Sequence, residues 1–115
     1  MNGCNSRAEK RLHDRLEVRL EVHYDINDLN RCAIAENISE GGLYLNTNDV
    51  FAPGTRLSLR IEFPERTIVH HGEVVWSIRA PEHARRTLMC GMGVQFLDFG
   101  TEWAGFFKSW KEKRR

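Results

Sequence analysis

Apolar and polar residues alternate with a period of two along most of the chain. Leu16, Val18, Leu20, Val22 and Tyr24 alternate with Glu17, Arg19, Glu21 and His23, which predicts a strand with one buried face. Asp25 to Asn30 is rich in Asp and Asn and reads as a turn. A second strand is expected over Arg31 to Ile38, carrying Ala33, Ile34 and Ile38, and a third begins at Leu43, Tyr44 and Leu45. Beyond the Pro53-Gly54 turn, Leu57, Leu59, Ile61 and Phe63 alternate with Arg56, Ser58, Arg60 and Glu62 until Pro64, which cannot donate to a ladder. Ile68 to Ile78 predicts a fifth strand with a bulge at Gly72. Leu88 to Leu97 predicts a sixth, with Leu88, Cys90, Met92, Val94 and Phe96 on one face. Between them, Arg79 to Thr87 holds Pro81 and three arginines and reads as an exposed loop.

The tail changes period. Trp103, Phe106, Phe107 and Trp110 fall at i, i+3, i+4 and i+7, one stripe of an amphipathic helix. Thr101 before Glu102 is the expected N-cap region, and the basic residues that follow suit the C-terminal dipole. The pattern therefore predicts a mainly β fold: a small six-stranded antiparallel barrel with a C-terminal helix packed on it. Residues 1–10 are expected to form a flexible N-terminal arm and residues 11–115 a single domain.

Composition narrows the function classes. The 115 residues, 41% hydrophobic and 29% charged, suit one globular domain with a modest core. A formal charge of +1 argues against a general polyanion binder, so an anion site must come from local clustering. Such clusters exist at Arg7, Lys10, Arg11, Arg15 and Arg19, and at Lys111, Lys113, Arg114 and Arg115. Cys4, Cys32 and Cys90 are scattered without Cys-x-x-Cys spacing, which points to a reducing cytoplasm and away from a disulfide framework. Cys32 and Cys90 read as small buried residues. No apolar run approaches the roughly 20 residues that span a bilayer, and no signal peptide is read.

Two motifs carry candidate chemistry. Arg11 and Arg15 are four apart just before the first strand, and Asn37-Ile38-Ser39-Glu40-Gly41-Gly42 reads Asn-x-Ser-x-x-Gly at the turn after the second. A guanidinium grips phosphate oxygens bidentately, pairs with guanine O6 and N7, and stacks on planar rings. Asn37 and Ser39 are alternate residues and so share a face, offering an amide and a hydroxyl. Gly41 and Gly42 allow positive φ or a close approach. His70 and His71 are adjacent, so a strand sends them to opposite faces and they cannot share a metal. Trp76 and the helix aromatics read as core. No catalytic acid pair or activated nucleophile is visible.

The spacing Arg-x-x-x-Arg followed by Asn-x-Ser-x-x-Gly resembles the PilZ family, bacterial receptors for cyclic di-GMP. Gly42-Leu43-Tyr44-Leu45, Gly72-Glu73-Val74-Val75-Trp76 and Gly91-Met92-Gly93-Val94-Gln95-Phe96 also look like that family's pattern. The resemblance runs from about Arg11 to the terminal helix. It implies a six-stranded barrel with a C-terminal helix and a binding module without enzymatic activity or cofactor. By resemblance, Arg11 and Arg15 contact phosphates and guanines, Asn37 and Ser39 contact a guanine or nearby phosphate, and Gly42 leaves space for the base, with Gly41 also counted in the binding set. Lys10, where many members carry arginine, bears on whether one ligand or an intercalated pair binds. The implied function is a cytoplasmic receptor, monomeric or dimeric, whose N-terminal arm changes conformation on binding and which signals to an unidentified effector protein. The alternative is an interaction adaptor of the same fold with weak or no nucleotide binding. The near-zero net charge and the lack of a basic aromatic strand face count against a nucleic-acid partner, and no membrane insertion is expected.

Overall fold

Strict alternation produces the barrel wall. The computed structural model describes residues 16–79, 90–98 and 100–113. Its strands are β1 (Leu16–Asp25), β2 (Arg31–Ser39), β3 (Gly42–Asn46), β4 (Arg56–Glu62), β5 (Thr67–Ile78) and β6 (Gly91–Phe96), followed by helix α1 (Thr101–Lys113). All neighbours are antiparallel, and the order β1-β2-β3-β6-β5-β4 closes into a barrel. Closure leaves no free sheet edge. The mainly β architecture expected from the alternation, with its terminal helix, is thus the one observed. The expected N-terminal arm and the loop after Arg79 lie outside the described residues, as does Leu88.

Every second side chain fills the interior. Val18, Leu20, Val22 and Tyr24 of β1 meet Leu57, Leu59 and Ile61 of β4, and Leu43, Leu45, Val74, Met92, Val94 and Phe96 complete the core. Helix α1 closes one end, burying Trp103, Phe107 and Trp110. Phe63, just past β4, meets Phe106 and Trp110 edge-on with ring centroids 4.9 Å apart in both cases. The carbonyl of Gly100 accepts the first helical hydrogen bond, from the Ala104 N–H at 3.1 Å. Gly100 therefore holds the cap position expected for Thr101, which is already the first helical residue.

His70 and His71 do point opposite ways, His70 being 3% exposed and stacked on Phe96 with centroids 4.1 Å apart. They nevertheless share one carboxylate. Asp98 lies 3.0 Å from the His71 ring and 3.7 Å from that of His70, and it also accepts the His71 backbone N–H at 2.9 Å. Asp98 is the second residue past β6, so it reaches around the β5–β6 ladder end and serves both rings.

Two departures from regular pairing matter most. On β2, Ala35 pairs with Leu45 and Asn37 with the adjacent Tyr44, leaving Glu36 as an extra residue. On β5, Val74 pairs with Val94 and Trp76 with Gly93, leaving Val75 extra. The β5 irregularity expected at Gly72 therefore sits three residues later; Gly72 itself is in register with Leu57 and Phe96.

Candidate functional site

Each bulge shifts the inside–outside phase of its strand by one residue. Ala33 and Ala35 face the core, yet so does Ile38, because Glu36 and Asn37 both turn outward. Asn37 and Ser39 consequently lie on the outer wall on the same side, as their spacing predicts. Val75 does the same for Trp76. Val74 is core, whereas Trp76 is half-buried outside it. The reading of Trp76 as a core residue is thereby corrected: its ring stacks on Tyr44 with centroids 5.4 Å apart and planes 17° from parallel.

Register places these residues in one row. Glu17 pairs with Asn37, Asn37 with Tyr44, Tyr44 with Gly93 and Gly93 with Trp76. Directly paired residues share a face, so the row crosses β1, β2, β3, β6 and β5 on the outside. The next row holds Ser39, Gly42, Gln95 and Glu73. The result is a polar edge at Asn37 and Ser39 beside an aromatic floor at Tyr44 and Trp76.

Bare backbone on β6 makes the floor. A side-chain carbon at Gly93 would fall 2.2 Å from Trp76 Nε1, so the indole lies directly over that glycine. The Tyr44 hydroxyl donates to the Cys90 carbonyl at 3.2 Å, which fixes the phenol ring under Trp76. Burial raises the Tyr44 phenol above its ordinary value and keeps it a donor.

The Asn-x-Ser-x-x-Gly segment is a tight β2–β3 hairpin. Ser39 pairs with Gly42 across the two-residue turn Glu40-Gly41. The buried Ser39 hydroxyl accepts the Gly41 N–H at 3.2 Å and can donate to the Gly42 carbonyl at 3.4 Å. Gly42 is required by close approach and not by its torsion: an added carbon would lie 2.3 Å from the Val94 carbonyl oxygen. Among the described residues only Gly54 takes positive φ, at 94°. The space that Gly42 leaves is therefore used first by the β3–β6 ladder.

The hairpin is also tied to the helix. Trp103 Nε1 donates to the Glu40 carbonyl at 2.9 Å, while its ring lies edge-on to His70 and Phe96. Leu16, the first residue of β1, pairs with Ile38 beside this hairpin, and Lys10, Arg11 and Arg15 precede it in sequence. Those three residues lie outside the described ones. Of the predicted site, the structure thus brings Asn37, Ser39, Gly41 and Gly42 together at one end of the outer wall. Sequence reasoning missed Tyr44 and Trp76 as part of that wall. No local signal marked them: Val75-Trp76 is an apolar pair and Glu36 an ordinary strand residue, and only the pairing of their neighbours shows the phase shift.

Comparison with known proteins now places the chain. A PilZ domain model matches residues 7–102. The chain belongs to the PilZ domain family. PilZ domains are receptor and adaptor domains. Among solved structures, the Bacillus subtilis inhibitor of motility (MotI/DgrA) superposes with a TM-score of 0.74 at 21% identity, over 91% of this chain and 50% of that one. At that identity the likeness is one of fold, and this PilZ chain spans half the length of its neighbour. A search of curated proteins finds no match. The family match spans all six strands and ends at residue 102, at the start of α1, and among the described residues no helix is long and apolar enough to cross a membrane.

Proposed function

We propose that this PilZ chain is a cyclic di-GMP receptor without enzymatic activity, holding the nucleotide on the outer wall beside the β2–β3 hairpin and signalling to a protein partner. The observation that carries this reading is the single register row that sets Asn37 beside the Tyr44–Trp76 stack, with Ser39 one row away. A planar base can lie against the half-buried Trp76 indole, which Tyr44 backs from the buried side, while the Asn37 amide meets its edge. The described wall carries the acidic Glu17, Glu36 and Glu73; its basic residues are Arg19, two residues after Glu17 on the outer face of β1, and Arg56, at the far end of the second row and 3.9 Å from Glu73. Phosphate recognition is assigned to Arg11 and Arg15, with Lys10 next to Arg11 in sequence.

In this reading the segment before Leu16 changes conformation as its arginines close on the ligand, an ordering switch. Ser39, Gly41 and Gly42 hold the hairpin in shape, and the Trp103–Glu40 bond links it to α1. The partner then reads either the rearranged arm or the helix. Motility control is one process to examine, since a neighbour of this fold is named an inhibitor of motility.

Calorimetric titration with cyclic di-GMP tests the reading. A charge-assisted hydrogen bond contributes about 1.5–3 kcal/mol, so Arg15→Ala is expected to weaken binding roughly ten- to a hundredfold. Absence of heat with the unaltered protein would sink the receptor reading and leave the interaction adaptor. Equal amide-exchange protection of residues 7–15 with and without nucleotide would remove the conformational switch while leaving binding intact.

A further inference from the structure

Away from the nucleotide wall, three side chains of metal-binding type converge on the outer surface of the β1–β2 ladder. Glu21 and His23 are two apart on β1 and share a face, and Cys32 is the direct partner of His23 on β2. Sequence reasoning had placed Cys32 in the core; it is exposed, because it alternates with the inward-facing Ala33. The donor atoms of the three residues all lie within 4.8 Å of one another. Glu21 Oε2 is 3.0 Å from His23 Nε2 and 3.4 Å from Cys32 Sγ.

The 3.0 and 3.4 Å separations are near those of a coordination polyhedron, and small side-chain adjustments bring all three donors onto one ion. Around tetrahedral zinc, with bonds of about 2.0–2.3 Å, neighbouring donors stand roughly 3.3–3.6 Å apart. The ladder hydrogen bonds between β1 and β2 hold the three Cα positions, so no backbone movement is needed to gather the donors. A thiolate, an imidazole and a carboxylate together favour a borderline-soft ion over magnesium or calcium, which take oxygen ligands.

The surroundings permit a cation. Strand β4 sets Arg60 opposite His23 and Glu62 opposite Glu21. Arg60 Nε lies 3.0 Å from Glu62 Oε2, so its charge is already matched, and Glu62 adds a further carboxylate beside the cluster. Without metal, the Cys32 thiol donates to Glu21. Ligation by the thiolate displaces the Cys32 proton.

We propose that Glu21, His23 and Cys32 bind one zinc-class divalent ion on the outside of the barrel, leaving at least one coordination position open to water. The site is independent of the nucleotide wall, whose β1 member, Glu17, lies four residues earlier. Bound metal cross-links β1 to β2 and braces the strand that follows the arginine-bearing segment.

Titration of the chelator-treated, reduced protein with cobalt(II) and zinc(II) ions tests this. Cobalt is expected to saturate at one ion per chain with a thiolate-to-metal charge-transfer band. That band should vanish in Cys32→Ser and persist in Cys4→Ser. Zinc affinity should fall by at least about a hundredfold in Cys32→Ser and in His23→Ala, beyond the roughly 10–100-fold typical of losing an outer partner. Circular dichroism of both variants reports whether the fold is kept. Failure to saturate at one ion per chain, or a charge-transfer band unchanged in folded Cys32→Ser, would overturn the proposal.

Discussion

Strands β1 and β4 differ from β2 and β5 in one respect that separates folding from function in this barrel. Along β1 and β4 the inside–outside alternation never breaks, and every inward side chain joins the core. β2 and β5 each take one extra residue, Glu36 and Val75, and after it the opposite set of positions faces out. Unbroken alternation is what a wall with a single buried face needs. A bulge turns chosen side chains toward solvent without shortening the core, and here two bulges bring Asn37 and Trp76 into one row. β1 and β4 keep their alternation throughout, although β1 slips register against β2 between Glu17 and Leu20, and the phase shifts of β2 and β5 shape the outer surface.

Truncating a core side chain on a regular strand should produce the largest effect. Leu59 is fully buried on β4, and Leu59→Ala is expected to cost about 2–5 kcal/mol, read by chemical denaturation. Binding of cyclic di-GMP by the fraction that remains folded should be little changed.

The glycines of the bulged region sharpen the contrast. At Gly42 the obstacle is the Val94 backbone carbonyl, 2.3 Å from an added carbon, whereas at Gly93 it is the Trp76 ring, 2.2 Å away. A ring can move and a paired strand cannot. Gly42→Ala should therefore lose about 2–3 kcal/mol and Gly93→Ala only about 1 kcal/mol. Equal losses in thermal unfolding would mean that Trp76 is as rigidly held as the ladder.

Trp76→Ala tests the surface directly. A base stacked on an aromatic side chain contributes about 1–3 kcal/mol, so nucleotide affinity should drop roughly five- to 150-fold in calorimetry. The stability loss should be smaller than for Leu59→Ala, since the indole is only half-buried. The reverse ranking would return Trp76 to a purely structural role.

The link between hairpin and helix is worth less energy but is more specific. Trp103→Phe keeps an aromatic ring against His70 and Phe96 and removes the donor to Glu40, costing about 1 kcal/mol. Amide exchange in the β2–β3 turn should rise more than in β4. A uniform rise would show that the bond adds only to global stability.

The smallest expected effect is the pH response at the buried helix contact. Burial holds the His70 imidazole below its usual 6.5, only partly offset by Asp98. The unfolded chain then binds this proton more tightly than the folded one. His70's contribution is accordingly complete above pH 6.5 and declines as pH falls from there toward the lowered folded value. Burial would raise the Asp98 carboxyl, but the His71 N–H and ring hold it below its ordinary 3.8, so its share is lost only at more acid pH. His70→Phe should flatten the first of these slopes in urea titrations at several pH values.

Much of this was legible in the residue pattern. The strict alternation of Leu16 to Tyr24 and Leu57 to Phe63 defined two strands and their buried faces, and Trp103 to Trp110 defined the helical stripe. The Asn37-to-Gly42 segment was recognisable as a polar hairpin because Ser and Gly have few other reasons to cluster between apolar runs. The bulge was placed at Gly72 because glycine is the usual local cue, yet Glu36 and Val75 are ordinary strand residues. Their role shows only in what their neighbours pair with. Cys32 was read as core because cysteine is commonly buried, whereas its position opposite His23 puts it outside.

The amino-acid sequence by itself determined the elements, the buried faces of the regularly alternating runs and the two motifs, because period and turn chemistry are local properties of the chain. The tertiary structure decided the strand order, the phase shifts that set Asn37 beside Tyr44 and Trp76, and the meeting of Glu21, His23 and Cys32. Those depend on register between strands distant in sequence, and a single extra residue in a strand reverses every face beyond it.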